Sequence, residues 1–220
     1  GKSTVTRLLQ RYMDPEHGTI SLNGHDLRGV SLASWRRLVG NIPQAPKLFD
    51  GTLKDNLIYA MTSEQRAQLT DEQIWEVMRL LRVDFGPRLT HGLATRVGRN
   101  GVKLSGGEAQ RVMIASVALK RPRFMIIDEA TSSLDAENQA AVQTGLESLL
   151  SSMDASALII AHRLSTVMGC NKFVVLKPVD TLQNGNSQIE CIAQSKEDLF
   201  ATSPTFRRLA DLEGVRLAVA

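Results

Sequence analysis

The chain has 220 residues, of which 43% are hydrophobic and 22% charged, and its formal net charge is +3. The apolar content excludes an intrinsically disordered chain, and 16 Gly with 7 Pro exclude a collagen-like or low-complexity one. A small, dispersed charge does not indicate a nucleic-acid partner. Two cysteines are too few for a disulfide framework or a four-ligand zinc site. A chain of this length hides about 70% of its unfolded surface, enough for one hydrophobic core or two small ones.

The apolar spacing predicts helices alternating with strands. In chain order it predicts a helix over 2–12, strands over 19–22 and 39–43, at least two helices within 52–81, a loop over 95–107, a helix over 108–119 and a strand over 124–127. It then predicts a helix over 136–150, strands over 156–161 and 173–176, and helices near 195–201 and 204–213. The polar stretch 177–194 is expected to be a surface hairpin or an insertion. This alternation predicts an α/β domain with a mostly parallel sheet.

The chain begins without an initiator methionine. Gly1-Lys2-Ser3-Thr4 has no apolar segment behind it that could be a signal peptide. No apolar run approaches the roughly 18 residues that a membrane helix needs. We therefore expect the sequence to be a fragment of a longer protein.

The opening residues carry the first chemical signal. Gly1-Lys2-Ser3-Thr4, at the head of the first predicted helix, matches the end of the phosphate-loop pattern G-x-x-x-x-G-K-[ST]. In that pattern the backbone N–H groups and the lysine face the phosphates, and the next hydroxyl is a ligand of Mg²⁺. Four residues alone also fit an ordinary helix start with Ser3 as its cap.

A second signal follows the predicted strand 124–127, which ends in Asp128 and Glu129. Successive strand residues point to opposite sides, so Asp128 can face a metal ion while Glu129 lies nearer a nucleophilic water. The alternative is that both acids only cap the next helix, which would leave the Gly-Lys-Ser-Thr segment unexplained.

The third signal is Leu104-Ser105-Gly106-Gly107-Glu108, a Ser-Gly-Gly turn that opens a helix and exposes amides to an anion. By itself it could be a capped helix start. Together with the two preceding motifs, it resembles the nucleotide-binding domain of ATP-binding cassette (ABC) transporters, whose hallmark is LSGGQ. The resemblance implies a P-loop NTPase fold of the ABC ATPase type over residues 1–220, with a helical subdomain at about 52–120.

Further positions match the family in order. Gln44 resembles the Q-loop glutamine, which in the family contacts Mg²⁺ and the attacking water, and the segment 132–135 resembles the D-loop. His162 resembles the switch histidine that contacts the γ-phosphate. The segments 48–56 (LFDGTLKDN), 95–101 (TRVGRNG) and 161–167 (AHRLSTV) resemble those of exporters. We therefore expect the ATPase module of an ABC exporter.

The resemblance also implies the site residues. ATP and Mg²⁺ are the expected ligands, with nucleotide contacts from Gly1, Lys2, Ser3, Thr4, Gln44, Ser105, Gly106, Gly107, Glu108, Asp135 and His162. The expected Mg²⁺ ligands are Ser3, Gln44 and Asp128, and the expected catalytic residues are Glu129, His162, Lys2 and Gln44. In the family the Ser-Gly-Gly turn and the D-loop aspartate complete the site of a second cassette in a head-to-tail dimer.

The expected partners are therefore a second ABC cassette and a transmembrane domain upstream in the same polypeptide, with this domain on the cytoplasmic side of the membrane. Two features depart from the family pattern. The phosphate loop lacks its first residues, the strand before it and the aromatic residue that stacks on adenine, so we expect these 220 residues alone to fold poorly. Glu108 also stands where the family usually has Gln, which adds a negative charge near a nucleotide.

Two other functions fit parts of the sequence. A soluble ABC ATPase of DNA repair or translation would share the motifs, but such chains carry long coiled coils or two cassettes and would lack the exporter-like segments. A catalytically silent half of an asymmetric transporter would tolerate Glu108, although Glu129 and His162 argue against it. The transported substrate is not encoded in this domain.

Overall fold

The computed structural model describes residues 1–83, 85–129, 136–153, 155–161, 164–177 and 188–214, without the side chains of 136–138, 141 and 165. The helices are α1 (Lys2–Leu9), α2 (Leu32–Leu38), α3 (Leu53–Ile58), α4 (Ser63–Gln68), α5 (Asp71–Leu80), α6 (Gly106–Lys120), α7 (Ala136–Ser152), α8 (Leu164–Val167), α9 (Lys196–Thr202) and α10 (Pro204–Glu213). The strands are β1 (Ser21–Leu22), β2 (His25–Asp26), β3 (Val39–Ile42), β4 (Gly51–Thr52), β5 (Arg96–Val97), β6 (Phe124–Asp128), β7 (Ser156–Ile160), β8 (Phe173–Leu176) and β9 (Ile189–Ala193). None of these helices is long and apolar enough to cross a membrane.

The chain divides into two compact units, one of Met13–Ile159 and one of Gly1–Tyr12 with Ile160–Ala220. Each is described by itself. The first is organised around a sheet with the strand order β3-β6-β7, in which β3 runs parallel to β6. Met125, Ile126 and Ile127 of β6 are buried, because a central strand is covered on both faces. The predicted α/β class and the continuous apolar strand are confirmed.

The predicted helical stretch 52–81 consists of three helices, α3, α4 and α5. Each begins with a capping box, in which a threonine hydroxyl accepts from a backbone N–H and the side chain three residues later accepts from the threonine N–H. The threonines are Thr52, Thr62 and Thr70. These reciprocal bonds satisfy amides that a helix start leaves unpaired, so each one starts a new helix.

Helix α6 buries Val112, Ala115, Ser116 and Leu119, which lie at helical spacing on one face. Gln110, Arg111 and Lys120 are buried as well, because α6 packs against α3, α5, α7 and β3. The Lys120 ammonium donates to the carbonyl oxygens of Arg36 at 2.5 Å and Val39 at 2.7 Å. Burial lowers the pKa of Lys120. The predicted helix over 108–119 is confirmed, and it is buried on more than one face.

The helix also approaches β3 closely at Gly40. A Cβ at this position would lie 2.6 Å from Val117 Cγ1 and 2.7 Å from Pro122 Cγ. Glycine therefore lets the C-terminal half of α6 lie directly against the strand that precedes the Gln44 segment.

Several short elements were not predicted, namely α2, α8, β2, β4 and β5. Helix α2 begins at a serine cap, Ser31, whose hydroxyl accepts from the Ser34 N–H. Residues Arg96 and Val97, within the predicted loop 95–107, form β5 and pair with β4. In the stretch 177–194, residues 189–193 form β9, which pairs antiparallel with β8, and 178–187 lie outside the described residues.

The second unit contains α1, the β8–β9 pair and helices α8, α9 and α10. Its core consists of Leu164, Phe173, Ala193, Leu199, Phe206 and Ala210. Glu190 of β9 joins the strand to the start of α10, because its carboxylate accepts from Ser203 Oγ at 2.5 Å, from the Thr205 N–H at 3.2 Å and from Thr205 Oγ1. The Ser203 and Thr205 hydroxyls hold the pKa of Glu190 below its ordinary value.

We predict that the Glu190 carboxylate makes a pH-dependent contribution to the stability of the folded protein. Because its pKa is lower in the folded state than in the unfolded state (about 4.3), the contribution is present above that value and is lost as the pH falls through the folded pKa. We expect Glu190→Gln to lower the melting temperature at neutral pH and to have a smaller effect at about pH 3, where a larger fraction of the carboxylate is protonated. Melting curves of the intact protein test this, with the exposed Glu16→Gln as the control. An equal loss at both pH values would contradict it.

Candidate functional site

Gln44 and Glu129 meet at one edge of the central sheet. Gln44 follows β3 and Glu129 follows β6, and since these strands are parallel, their carboxyl ends lie at the same edge. The Gln44 Nε2 donates to Glu129 Oε2 at 2.6 Å, across 85 residues of sequence. The structure thus brings together two residues that the sequence identified separately.

Glu129 has a left-handed backbone conformation with φ of +50°. For a residue with a Cβ this conformation costs roughly 1–2 kcal/mol, and such strain is concentrated at functional sites. Asp128, the last residue of β6, is partly buried, as is Glu129. The conformation of Glu129 turns the chain immediately after Asp128, so the two adjacent carboxylates are held at the end of a rigid strand.

Gln110 of α6 holds the segment that carries Gln44. Its side chain is fully buried, and its Nε2 donates to the carbonyl oxygen of Pro43 at 3.0 Å. The helix that begins at the Ser-Gly-Gly turn is therefore bonded to the residue just before Gln44. Sequence reasoning missed Gln110, although a polar side chain within an apolar helix was a usable signal.

The Ser-Gly-Gly turn forms the start of α6. Ser105 is its N-cap, with its hydroxyl accepting from the Glu108 N–H at 3.3 Å, and Glu108 Oε2 accepts from the Ser105 N–H at 2.8 Å. Gly106 is exposed, and a Cβ there would meet nothing within 4 Å. Gly107 is partly buried. The first turn of α6 therefore presents backbone amides at an open, positively polarised helix end.

Glu108 has a second partner that sequence reasoning missed. Its Oε1 forms an ion pair with Nη2 of Arg88, in the 3₁₀ turn Gly86–Arg88. The Arg88 guanidinium also lies 5.6 Å from the centre of the Phe85 ring. No motif or periodicity marks Arg88, because the contact depends on how the turn is placed beside α6.

The phosphate-loop residues belong to the other unit. Gly1 is the N-cap of α1, and Lys2, Ser3 and Thr4 form its exposed first turn, which contains no acidic residue. Ser3 is not the cap, so the alternative of a helix start capped by Ser3 is wrong. Its carbonyl oxygen instead accepts from Thr6 Oγ1 at 2.9 Å. A lysine and unpaired amides at a helix N-terminus suit a phosphate group.

Asp135 and His162 lie outside the described residues. Among the residues that the structure does describe, no group of three or more His, Cys, Asp and Glu could hold a metal ion. Mg²⁺ does not need such a group, because it is usually bound by one or two carboxylates together with waters and substrate phosphates. Asp128 and the amide oxygen of Gln44 supply oxygen ligands of this kind, so the donor set fits Mg²⁺ that arrives with a nucleotide.

A family model described as ABC transporter matches residues 1–132, more than half of the chain. The chain belongs to the ABC transporter family. It is an ATP-binding domain with the P-loop NTPase fold, in a family that hydrolyses ATP. Both the fold class and the family predicted from the sequence motifs are confirmed.

The relatives of this ABC domain include exporters. A multidrug resistance ABC transporter ATP-binding and permease protein of Lactococcus lactis is 35% identical over 94% of this chain and 33% of its own length. An ATP-dependent lipid A-core flippase of Salmonella typhimurium is 40% identical over 88% of this chain and 32% of its own. A solved bacterial Atm1-family ABC exporter with ATP bound has a TM-score of 0.82 and 30% identity, over 98% of this chain and 35% of that one.

The ABC domain spans a third or less of the curated relatives it matches, from 15% to 33% of their lengths. Their names describe transporters and a flippase, so the alternative of a soluble ABC ATPase in DNA repair or translation is not favoured.

Proposed function

We propose that this ABC domain binds and hydrolyses ATP with Mg²⁺ and thereby powers an exporter whose transmembrane domain lies upstream in the same polypeptide. In this proposal the domain works on the cytoplasmic side of the membrane and has no nucleic-acid partner. The observation that carries the proposal is the hydrogen bond between Gln44 and Glu129 at the ends of parallel strands. It pairs a magnesium-ligand amide with a carboxylate that can accept a proton.

The phosphate-binding role falls to the start of α1. The amides of Gly1 to Thr4 and the Lys2 ammonium bind the β- and γ-phosphates, which offsets their negative charge. Ser3, Gln44 and Asp128 are the proposed Mg²⁺ ligands. The ion supplies further neutralisation of phosphate charge when ATP is bound. Catalysis in this class depends chiefly on such positioning and charge neutralisation.

Glu129 is the proposed general base. Its carboxylate accepts a proton from the attacking water, while Gln44 orients the carboxylate through the bond to Oε2. His162 is proposed to hold the γ-phosphate geometry.

The remaining expected site residues are assigned to the site of a second cassette. Ser105, Gly106, Gly107 and Glu108 are proposed to contact ATP that is bound by the other copy, and Asp135 is proposed to lie at the same interface. The helical subdomain at about 52–120 carries this turn. Each cassette then supplies half of each site, so the intact protein should show turnover that rises more steeply than its concentration, or that depends on a fused partner.

Gly106→Asp tests this role. The position has open space for a side chain within the chain, so the fold should tolerate the change, and any effect must come from what approaches the turn. We expect the new charge to repel the triphosphate and to lower ATP turnover of the intact protein by about 10-fold or more. Gly29→Asp is the matched control, since a Cβ at Gly29 also meets nothing within 4 Å. Normal turnover of Gly106→Asp, with an unchanged melting temperature, would refute the role of the turn.

A further inference from the structure

The Ser-Gly-Gly turn is followed by a negatively charged residue, Glu108, although the proposed role of the turn is to bind the negatively charged triphosphate. Glu108 lies in the first turn of α6, next to the exposed amides that would face a triphosphate. A carboxylate at a helix N-terminus competes with an incoming anion for the same positive end of the helix and repels it. Either the site tolerates this repulsion or something in the structure compensates for it.

The two carboxylate oxygens of Glu108 have separate partners. Oε2 accepts from the Ser105 N–H at 2.8 Å and closes the cap of α6, while Oε1 pairs with the Arg88 guanidinium. The Glu108 side chain is 14% exposed and that of Arg88 is 45% exposed. The Glu108 carboxylate is therefore largely shielded, and Arg88 is the more exposed partner of the ion pair.

Resting on the proposed function, we propose that Arg88 is a charge-compensating positioning residue of the nucleotide site. It neutralises Glu108 and fixes the carboxylate in the capping bond with the Ser105 N–H, so that the Gly106 and Gly107 amides are presented to the triphosphate without a net negative charge behind them. Arg88 acts through Glu108 and does not itself need to contact ATP.

Arg88 and Glu108 are complementary in their hydrogen-bonding groups. Arginine has only donors and a carboxylate has only acceptors, so the two oxygens of Glu108 can accept from Ser105 and from Arg88 at the same time. A glutamine at position 108 would keep one acceptor for the Ser105 N–H but would direct its amide donors toward Arg88. Glutamine is therefore compatible with the turn when no arginine faces it, and glutamate is compatible when Arg88 does.

The test is a set of four variants of the intact protein: Arg88→Met, Arg88→Lys, Glu108→Gln and the double variant Arg88→Met with Glu108→Gln. We expect Arg88→Met to raise the KM for ATP by about 5- to 10-fold at low ionic strength, with a smaller change in kcat. The defect should shrink at high salt, because screening weakens the repulsion from the uncompensated carboxylate. Arg88→Lys, which keeps the charge, should stay near the parent protein.

The double variant decides the question. With both charges removed, the KM for ATP should return to within about 2-fold of the parent value, although the ion pair is absent. Arg79→Met is the control, because it breaks an exposed ion pair with Glu72 within α5 that does not involve Glu108. If Arg88→Met lowers only the melting temperature, or if Glu108→Gln fails to rescue the KM, the ion pair is structural and the proposal is wrong. Failure of the proposed function is a different result, in which the parent protein does not hydrolyse ATP.

Discussion

Replacing Glu129 with glutamine is expected to lower ATP hydrolysis by about 10²–10⁴-fold, the span of general acid–base catalysis, while ATP binding is retained. Glutamine has nearly the same volume, and its amide oxygen can still accept from Gln44 Nε2, which now bonds to Glu129 at 2.6 Å. The geometry at the end of β6 is therefore kept. What is lost is the carboxylate that accepts a proton from water.

The measurement is steady-state ATP turnover of the intact protein, together with equilibrium binding of ATP and a melting curve. Glu76→Gln, at an exposed position of α5, is the matched control for removing a carboxylate. Turnover close to that of the parent, with ATP binding intact, would dismiss Glu129 as the base. Loss of ATP binding would instead indicate that the carboxylate is needed for the nucleotide or its metal ion.

The regular parts of this fold could be predicted from the sequence because local patterns determine them. The continuous apolar run of β6 and the apolar spacing in α5 each carry their own signal. Helix α2 and strand β9 could not be predicted in the same way. Strand β9 pairs with β8 through an irregular register, and Ile189 and Ile192 are exposed, so no simple alternation marks β9.

In the candidate site, too, the sequence reveals the residues of local motifs but not the contacts that depend on tertiary packing. Lys2, Ser105 and Glu129 were identifiable because each belongs to a short, continuous motif. The residue types in such a motif indicate what it binds or catalyses. The bond between Gln44 and Glu129 is determined by the parallel pairing of two strands, which the motifs imply but do not contain. The contacts of Gln110 with Pro43 and of Arg88 with Glu108 depend on tertiary packing alone. In the sequence, Glu108 is only a departure from the family's LSGGQ pattern, because nothing in the sequence shows that Arg88 lies beside it.

Replacing Lys2 with alanine is expected to weaken ATP binding by about 30-fold or more, as removal of one partner of a close charge pair does, and to lower hydrolysis with it. Lys2 is the first residue of α1, is exposed, and has no acidic residue in the same turn. Its ammonium adds to the positive end of the helix. Lys2→Ala is thus expected to weaken ATP binding, whereas Glu129→Gln is expected to lower hydrolysis and leave ATP binding intact.

Lys196→Ala is the matched control, because Lys196 is likewise the first residue of its helix, α9, where Glu197 and Asp198 follow it in the first turn. Those acids already balance its charge, so its removal should leave ATP binding unchanged. Equilibrium titration of the intact variants with ATP gives the comparison directly. If Lys2→Ala binds ATP as the parent does and Lys196→Ala shows no difference from it, then the start of α1 does not bind the phosphates. The assignment of Gly1, Ser3 and Thr4 would fail with it, because all of them depend on the same helix end.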